Sequence, residues 1–334
     1  MRALVFRGPG DIRVERRPDP VAAPGELLIR VLSTGICGSD LHGYTGENGR
    51  RHPGQVMGHE TVGRVVEGGL PEGTLVTVNP VLGCGHCPAC AAGTAQLCPT
   101  RRVIGVDPAI SSAFAELMTV PAPNAVVLPD GVPEEHGALV EPLAVGYHAA
   151  MRGGVSPDDR VLVAGGGPIG QACALAARRL GAHEVLVSEP HPGRRALVER
   201  LGFEAVEPSA LSSRNDRSSR QDRTVVLDAV GSSASLRGAF EASTPGARVV
   251  LVGMNAPDVT LGAYAISTFE RSVIGSFCYP AREFEETAAW VASGPPELAH
   301  LVEGRVSLDE APAAFAGLAA GTLDASKVLV SLEG

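Results

Sequence analysis

The sequence predicts a two-domain α/β protein, in which an irregular antiparallel β domain accompanies a doubly wound parallel sheet. The chain has 334 residues, about twice the usual length of a single domain. Its first 140 residues are rich in glycine, proline and short β-branched runs such as Leu27–Val31 and Thr61–Val66, which is typical of short strands joined by tight turns. From about residue 160, short apolar runs alternate with helical segments, as expected for parallel strands that are covered on both faces.

The alternating segment can be followed along the chain. Strands are predicted at Arg160–Ala164, Glu184–Ser188, Thr224–Asp228 and Arg248–Gly253, with a last strand at Lys327–Val330. Helices are predicted over Leu143–Ala150 and in segments ending near Gly181 and Gly202. The polar stretch Ser209–Arg223 is predicted to be an exposed loop or a fraying helix. We place the domains at 1–141 with 285–334, and at 142–284.

Composition and charge exclude several classes of protein. Lys and Arg number 28 against 37 Asp and Glu, a net charge of −9 that argues against binding to nucleic acid or to an anionic membrane surface. No apolar run approaches the roughly 20 residues that a transmembrane helix requires. The N-terminus turns polar after Phe6 and has no signal-peptide core. We therefore expect a cytoplasmic protein with a small-molecule substrate.

A glycine-rich turn, Gly165-Gly166-Gly167-Pro168-Ile169-Gly170, follows the first strand of the alternating segment. Gly165 permits a tight turn, Gly167 lets the backbone approach a pyrophosphate, and Gly170 allows close packing of helix and sheet. The N-terminus of the helix then faces the phosphates. Glu189 ends the next strand, where a carboxylate accepts the ribose hydroxyls and repels a 2′-phosphate. NAD is favoured over NADP, although Arg194 or Arg195 could accommodate the extra phosphate.

Four of the seven cysteines lie within fifteen residues, with the spacing Cys84-x2-Cys87-x2-Cys90-x7-Cys98. Four thiolates at this spacing can close a tetrahedral zinc site in one loop, which leaves no open position for chemistry. The sequence therefore predicts a structural zinc. Cys173 lies in an alanine-rich run and is expected to be a small buried residue.

A catalytic zinc needs about three protein ligands and one open position. The candidates are Cys37, in Gly35-Ile36-Cys37-Gly38-Ser39-Asp40-Leu41-His42, and His59, in Gly58-His59-Glu60. Each alone is more often structural. Together with the four-cysteine loop, Glu141-Pro142 and the glycine turn, they make the chain resemble the zinc-containing medium-chain alcohol and polyol dehydrogenases over essentially its whole length.

The resemblance implies a GroES-like β-barrel catalytic domain, a Rossmann domain, two zinc ions per chain and a homodimer or homotetramer. In that family the residues matching Cys37 and His59 bind the catalytic zinc. The glutamate matching Glu60 is a ligand in some members and lies just behind the metal in others. Alcohol dehydrogenases proper carry a cysteine ligand at the position of Glu141. A glutamate in its place resembles the polyol, butanediol and threonine dehydrogenases, and Glu141 could bind the zinc directly or through water. Asp40 is expected to contact the zinc ligands rather than to bind the metal itself. His148 is expected to be structural.

The resemblance also implies the chemistry. Zinc polarises the oxygen of a secondary alcohol or polyol, including cyclitols and aminocyclitols, and the substrate's hydride passes to the nicotinamide. The proton would leave through Ser39, the cofactor ribose and His42, and Val230 and Lys327 are expected at the cofactor. Tyr44, Phe114 and residues 266–269 are candidates for the substrate pocket. Two alternatives stay open: a transient-redox lyase or epimerase that retains its NAD, and a binding protein that keeps only the fold.

Overall fold

The computed structural model describes residues 1–47, 49–211 and 222–332. The chain forms two compact units, one made of Met1–Glu141 and the chain from Pro280 onward, the other of Pro142–Tyr279. Most of the predicted loop Ser209–Arg223 lies outside the described residues. Its two ends are described, and the prediction of an exposed loop is wrong at Arg223, which begins a strand and is 1% exposed. Glu184 lies 2.7 Å from its guanidinium, and this ion pair compensates the buried charge.

The first unit opens with short strands and helices. In chain order they are β1 (Arg2–Gly8), β2 (Asp11–Arg16), β3 (Glu26–Gly35), α1 (Gly38–Thr45), β4 (Glu60–Glu67), β5 (Leu75–Val78), β6 (Val81–Leu82), α2 (Pro88–Ala91), β7 (Arg102–Val103), β8 (Leu117–Pro121), β9 (Ala125–Val127) and α3 (Glu134–Ala138). β1 and β2 form one hairpin, and β6 and β7 form a second small sheet. Short strands and frequent turns follow from the spacing of glycine and proline, as predicted.

The second unit alternates strands and helices. They are α4 (Val140–Arg152), which begins at the boundary, then β10 (Arg160–Ala164), α5 (Pro168–Arg179), β11 (Glu184–Ser188), α6 (Pro192–Arg200), β12 (Glu204–Val206), β13 (Arg223–Asp228), α7 (Ser233–Ala242), β14 (Ser243–Leu251), α8 (Ala263–Ser267) and β15 (Ser272–Gly275). The six strands pair in the order β12-β11-β10-β13-β14-β15, and every pairing is parallel. The predicted doubly wound parallel sheet is confirmed.

The chain then returns to the first unit. Its last elements are α9 (Ala281–Ala292), β16 (Gly304–Ser307), α10 (Ala311–Ala320) and β17 (Val328–Ser331). β17 joins β3, so that a seven-stranded sheet runs in the order β16-β17-β3-β4-β5-β9, with β8 also paired to β3. The predicted irregular β domain is confirmed, and it is completed by residues from both ends of the sequence.

Each unit has its own apolar core. In the second unit, Val161, Leu162 and Val163 of β10 are all fully buried, because helices cover both faces of a parallel sheet. In the first unit, alternate residues of β3 such as Leu27 and Ile29 are fully buried. Cys173 is fully buried in α5, as predicted. Among the helices that the structure describes, none is long and apolar enough to cross a bilayer.

Candidate metal centres and dinucleotide turn

Cys37 is held in place by the first turn of α1. It caps the helix, and its backbone N–H donates a hydrogen bond of 3.3 Å to the carboxylate of Asp40. A carboxylate three residues after the cap satisfies a backbone donor that the helix leaves unpaired. Asp40 is fully buried, so a contact shielded from water fixes the Cys37 backbone.

His59 and Glu60 lie where the chain enters β4. Gly58 precedes them with φ +95°, a left-handed conformation that favours glycine. Glu60 pairs in register with Gly35 at the end of β3, two residues before Cys37. The antiparallel pairing of β3 with β4 therefore brings His59 and Glu60 to Cys37.

These three residues form a compact donor group. One donor atom from each of Cys37, His59 and Glu60 lies within 4.8 Å of the other two. Nδ1 of His59 is buried, has no hydrogen-bond partner among the described residues and lies 3.8 Å from Oδ1 of Asp40. Burial alone would lower the pKa of His59, but the negative charges of Asp40, Cys37 and Glu141 raise it to about 10. Such an anionic set, with a sulfur, a nitrogen and an oxygen donor, fits a zinc ion.

Lys327, the only lysine of the chain, is 3% exposed and lies against Glu60. Its Nζ atom is 2.6 Å and 2.5 Å from the two carboxylate oxygens of Glu60. The pair forms because β17, β3 and β4 are neighbours, with Gly35 of β3 opposite both Leu329 and Glu60. A Cβ on Gly35 would lie 1.9 Å from Oε2 of Glu60. Lys327 was expected at the cofactor, and within its own unit it is an ion-pair partner of a candidate zinc ligand.

Glu141 lies outside the three-residue donor group. It is 7% exposed in the first turn of α4. Its charge nevertheless raises the pKa of both His59 and Lys327, for which burial acts in the opposite direction. The arrangement therefore brings Cys37, His59 and Glu60 together, and leaves Glu141 close enough to act on them electrostatically.

Ser39 and His42 lie on α1, two and five residues after Cys37. Ser39 is half-buried, and the side chain of His42 is 43% exposed. Nδ1 of His42 lies 2.7 Å from the carboxylate of Glu47. An ionised carboxylate can only accept, so Nδ1–H donates to Glu47 and Nε2 is left to accept a proton. This geometry suits a proton acceptor near solvent.

The four-cysteine loop also gathers its donor atoms. The sulfurs of Cys84, Cys87, Cys90 and Cys98 all lie within 4.8 Å of one another. Backbone N–H groups point at two of them, from Cys84 to Cys98 at 3.4 Å and from Cys90 to Cys87 at 3.5 Å. The Thr100 hydroxyl, with the N–H of Cys84, lowers the pKa of Cys98 to about 6. N–H and O–H groups that stabilise thiolates fit a closed four-sulfur zinc site.

The glycine turn has the geometry that a pyrophosphate needs. Gly165 has φ +95°, and a Cβ on Gly170 would lie 1.8 Å from the carbonyl oxygen of Gly165. Around Gly167, which caps α5, none of the described atoms would lie within 4 Å of an added Cβ. Pro168 and Ile169 follow in the first turn of the helix and are half-buried. The turn is tight where it packs and open where a ligand would approach.

Glu189 is fixed by the same turn. Its two carboxylate oxygens accept hydrogen bonds from the backbone N–H groups of Gly166 and His191, both at 2.7 Å. Arg195 donates to the carbonyl oxygens of Glu189 and Pro190 at 2.9 and 2.6 Å, whereas Arg194 is exposed. Val230 lies beside Gly165, where its Cγ2 would be 2.9 Å from an added Cβ. The guanidinium of Arg195 is therefore occupied by hydrogen bonds to the backbone, whereas Arg194 is accessible to a ligand.

Comparison with known proteins identifies the family. Residues 23–130 match the alcohol dehydrogenase GroES-like domain, and residues 168–293 match the zinc-binding dehydrogenase family. The sorbitol dehydrogenase of Bacillus subtilis (strain 168) is 30% identical over 326 residues, which cover 93% of this chain and 91% of that protein. The chain belongs to the zinc-containing medium-chain alcohol and polyol dehydrogenases.

Two further relatives of this dehydrogenase bear on substrate and cofactor. The L-galactonate-5-dehydrogenase of Escherichia coli (strain K12) is 32% identical over 307 residues, 88% of each chain. A zinc-binding dehydrogenase from Sinorhizobium meliloti 1021, solved bound to NADP, has a TM-score of 0.91, 32% identity and 99% coverage of both chains. The protein is therefore an enzyme of a family that acts on polyols and sugar acids.

Sequence patterns missed some features of the dehydrogenase. They did not predict the contacts of Lys327 with Glu60, of Glu47 with His42, or of Arg51 with Asp40. In each pair the residue named first belongs to no motif. The pocket candidate Phe114 is wrong, because it is fully buried in the core against Phe315. Tyr44 is 8% exposed, and its hydroxyl donates to the carbonyl oxygen of Gly10.

Proposed function

We propose that the enzyme transfers a hydride between NAD and a secondary alcohol group of a polyol or sugar acid, with cyclitols and aminocyclitols within its range. The donor group of Cys37, His59 and Glu60 is the observation that carries this proposal, because one sulfur, one nitrogen and one oxygen donor that lie close together can hold a zinc ion and leave its fourth position open. The relatives named for sorbitol and L-galactonate support a polyhydroxylated substrate. Its test is a screen of NAD reduction across secondary alcohols, polyols, sugar acids and aminocyclitols.

At this site Cys37 and His59 would hold a zinc ion, with Glu60 or Glu141 as a third ligand. Zinc would supply the positive charge that makes the substrate hydroxyl acidic. Ser39 would accept the hydroxyl proton, and His42 would receive the proton nearer to solvent. Because Nδ1–H of His42 donates to Glu47, Nε2 can accept the proton, which then passes to solvent.

A second zinc, bound by Cys84, Cys87, Cys90 and Cys98, stabilises the first unit. We expect Cys84→Ala to lose one equivalent of zinc and about 3–4 kcal/mol of unfolding free energy, the stabilisation that a ligand gives at several hundred times its Kd. Zinc analysis and denaturant unfolding measure both. Cys173→Ala, which removes a buried sulfur outside both donor groups, should keep two zinc ions. A Cys84→Ala protein with two zinc ions would refute the four-cysteine site.

NAD preference is set chiefly by Glu189, whose buried carboxylate stands next to the turn. We expect Glu189→Ser to shift the ratio of kcat/KM for NAD and NADP toward NADP by roughly 10- to 100-fold, or about 1.4 kcal/mol per tenfold. The substitution removes a charge that repels the 2′-phosphate, and the exposed Arg194 on α6 would then be free to meet this phosphate. Steady-state kinetics with both cofactors measure the shift. Glu199→Ser, an exposed carboxylate on α6, is the control. A wild-type enzyme that prefers NADP, as its NADP-bound relative allows, would contradict this assignment.

We also infer an assembly of identical chains, a homodimer or homotetramer. β15 is an edge strand of the six-stranded sheet, and Tyr264, Phe269 and Phe277 are exposed apolar side chains of the same unit. An open strand edge and exposed aromatic surface both favour association. Light scattering on the purified protein gives the mass. The cysteine-based metal sites favour a reducing compartment, and we propose the cytoplasm.

A further inference from the structure

We propose that Arg51 is a positioning residue of the open zinc site, which acts by holding Asp40 against both Cys37 and His59. The inference rests on the proposed catalytic zinc. It goes beyond the ligand set, because within the part of the chain that the structure describes Arg51 makes no hydrogen bond or ion pair with any of the three donor residues.

Arg51 is buried beside α1. Its side chain is 2% exposed, and its Nη2 atom lies 3.4 Å from Oδ1 of Asp40 and 3.4 Å from the carbonyl oxygen of Ser39. The stem of the side chain packs on Gly43, where an added Cβ would lie 2.6 Å from Cγ of Arg51. Gly43 therefore leaves the room through which a buried arginine reaches the first turn of α1.

Asp40 connects this arginine to two zinc ligands. One carboxylate oxygen accepts the backbone N–H of Cys37 at 3.3 Å, and the other lies 3.8 Å from Nδ1 of His59. A histidine that binds a metal through one ring nitrogen commonly donates the other N–H to a carboxylate, which fixes the orientation of the ring. The same carboxylate therefore lies against the imidazole, at an ion-pair distance, and accepts the backbone N–H of the residue that carries the thiol.

A fully buried carboxylate needs a compensating charge and a fixed orientation. The guanidinium of Arg51 supplies the charge, and its Nη2 atom contacts both the Asp40 carboxylate and the Ser39 carbonyl. Without Arg51, the Asp40 carboxylate would lose its compensating charge and one of the contacts that fix its orientation, and the Ser39 carbonyl would lose its contact with Nη2. We therefore expect the catalytic zinc to be bound more weakly, whereas binding of the four-cysteine zinc should not change.

The test compares Arg51→Met, Arg51→Lys and the control Arg50→Met, which changes the exposed neighbouring arginine. A chromogenic chelator measures the release rate of each zinc from the intact protein, and cobalt substitution reports the ligand geometry by absorption. We expect Arg51→Met to release the Cys37-site metal about 10- to 100-fold faster, in line with the loss of metal affinity that follows removal of an outer partner of a ligand, with a changed cobalt spectrum. Arg51→Lys should recover part of this, and Arg50→Met should match the wild type.

A second measurement covers the case in which Arg51→Met folds poorly. If Arg51 acts through Asp40, adding Arg51→Lys to Asp40→Asn should speed zinc release by much less than Arg51→Lys does in the wild type. Full additivity would overturn the proposal, as would wild-type release from Arg51→Met or equal loss of both zinc ions from it. A wild-type protein that holds only the four-cysteine zinc would overturn both the proposed function and this role. Unaltered release in a two-zinc protein would overturn only the role of Arg51.

Discussion

Cys37→Ala should remove one zinc ion from the enzyme and lower kcat by about three orders of magnitude or more. The thiol is one of three donors within 4.8 Å, and a metal that polarises the reacting oxygen contributes several kcal/mol, at about 1.4 kcal/mol per tenfold in rate. Zinc analysis after chelator washing and turnover with the substrate found by screening measure the two effects. The four-cysteine zinc and the thermal stability of the first unit should change little.

The control for this substitution is Cys173→Ala, because Cys173 is a fully buried cysteine in the other unit and lies outside both donor groups. It should keep both zinc ions and its turnover. A Cys37→Ala protein that keeps two zinc ions would show that the donor group of Cys37, His59 and Glu60 has been assigned the wrong role, whatever its activity.

Ser39→Ala should keep both zinc ions and bind NAD, yet lose about 10²–10⁴-fold in kcat, the contribution typical of a group that moves a proton in the transition state. Ser39 is half-buried in the first turn of α1. Turnover, zinc content and NAD binding by fluorescence are measured on the same preparation.

Two further variants locate the proton path. Ser39→Thr keeps the hydroxyl and should recover most of the turnover. His42→Ala should lose less than Ser39→Ala and regain activity toward high pH, because the side chain of His42 is 43% exposed and water can substitute for it. Full activity in Ser39→Ala would mean that another group takes the proton, with Glu141 the next candidate.

The parallel sheet could be predicted because its strands are buried on both faces. Arg160–Ala164 and Glu184–Ser188 read as short apolar runs between helices, and β10 and β11 have those bounds. The β domain is harder to read in detail, since a half-buried strand has fewer apolar positions and register depends on partners far along the chain. β14 illustrates the limit, because it begins at Ser243 and carries a proline and a glycine before the apolar run that was predicted as the strand.

The donor residues could be predicted because metal chemistry restricts them to few residue types and to short spacings. The residues that support them could not. Lys327 meets Glu60 across 267 positions only because β17 and β4 flank the glycine at position 35. Arg51 reaches Asp40 only because position 43 has no side chain. These contacts depend on a missing side chain at a third position, which no local pattern reports. Phe114 was misplaced because its packing partner, Phe315 of α10, lies far along the chain and no local pattern connects the two.

The most direct test of a zinc-dependent, NAD-linked dehydrogenase is NADH formation by the wild-type enzyme as its open-site zinc is removed and restored. With the best alcohol from the screen, we expect NADH formation to fall in proportion to the first equivalent of zinc that a chelator takes. One equivalent of added zinc should restore it, while the four-cysteine zinc remains bound throughout. NADH formation that persists after this zinc has gone would contradict the account. So would a protein with both zinc ions and bound NAD that reduces no NAD with any alcohol, and a transient-redox lyase or epimerase would then explain the site better.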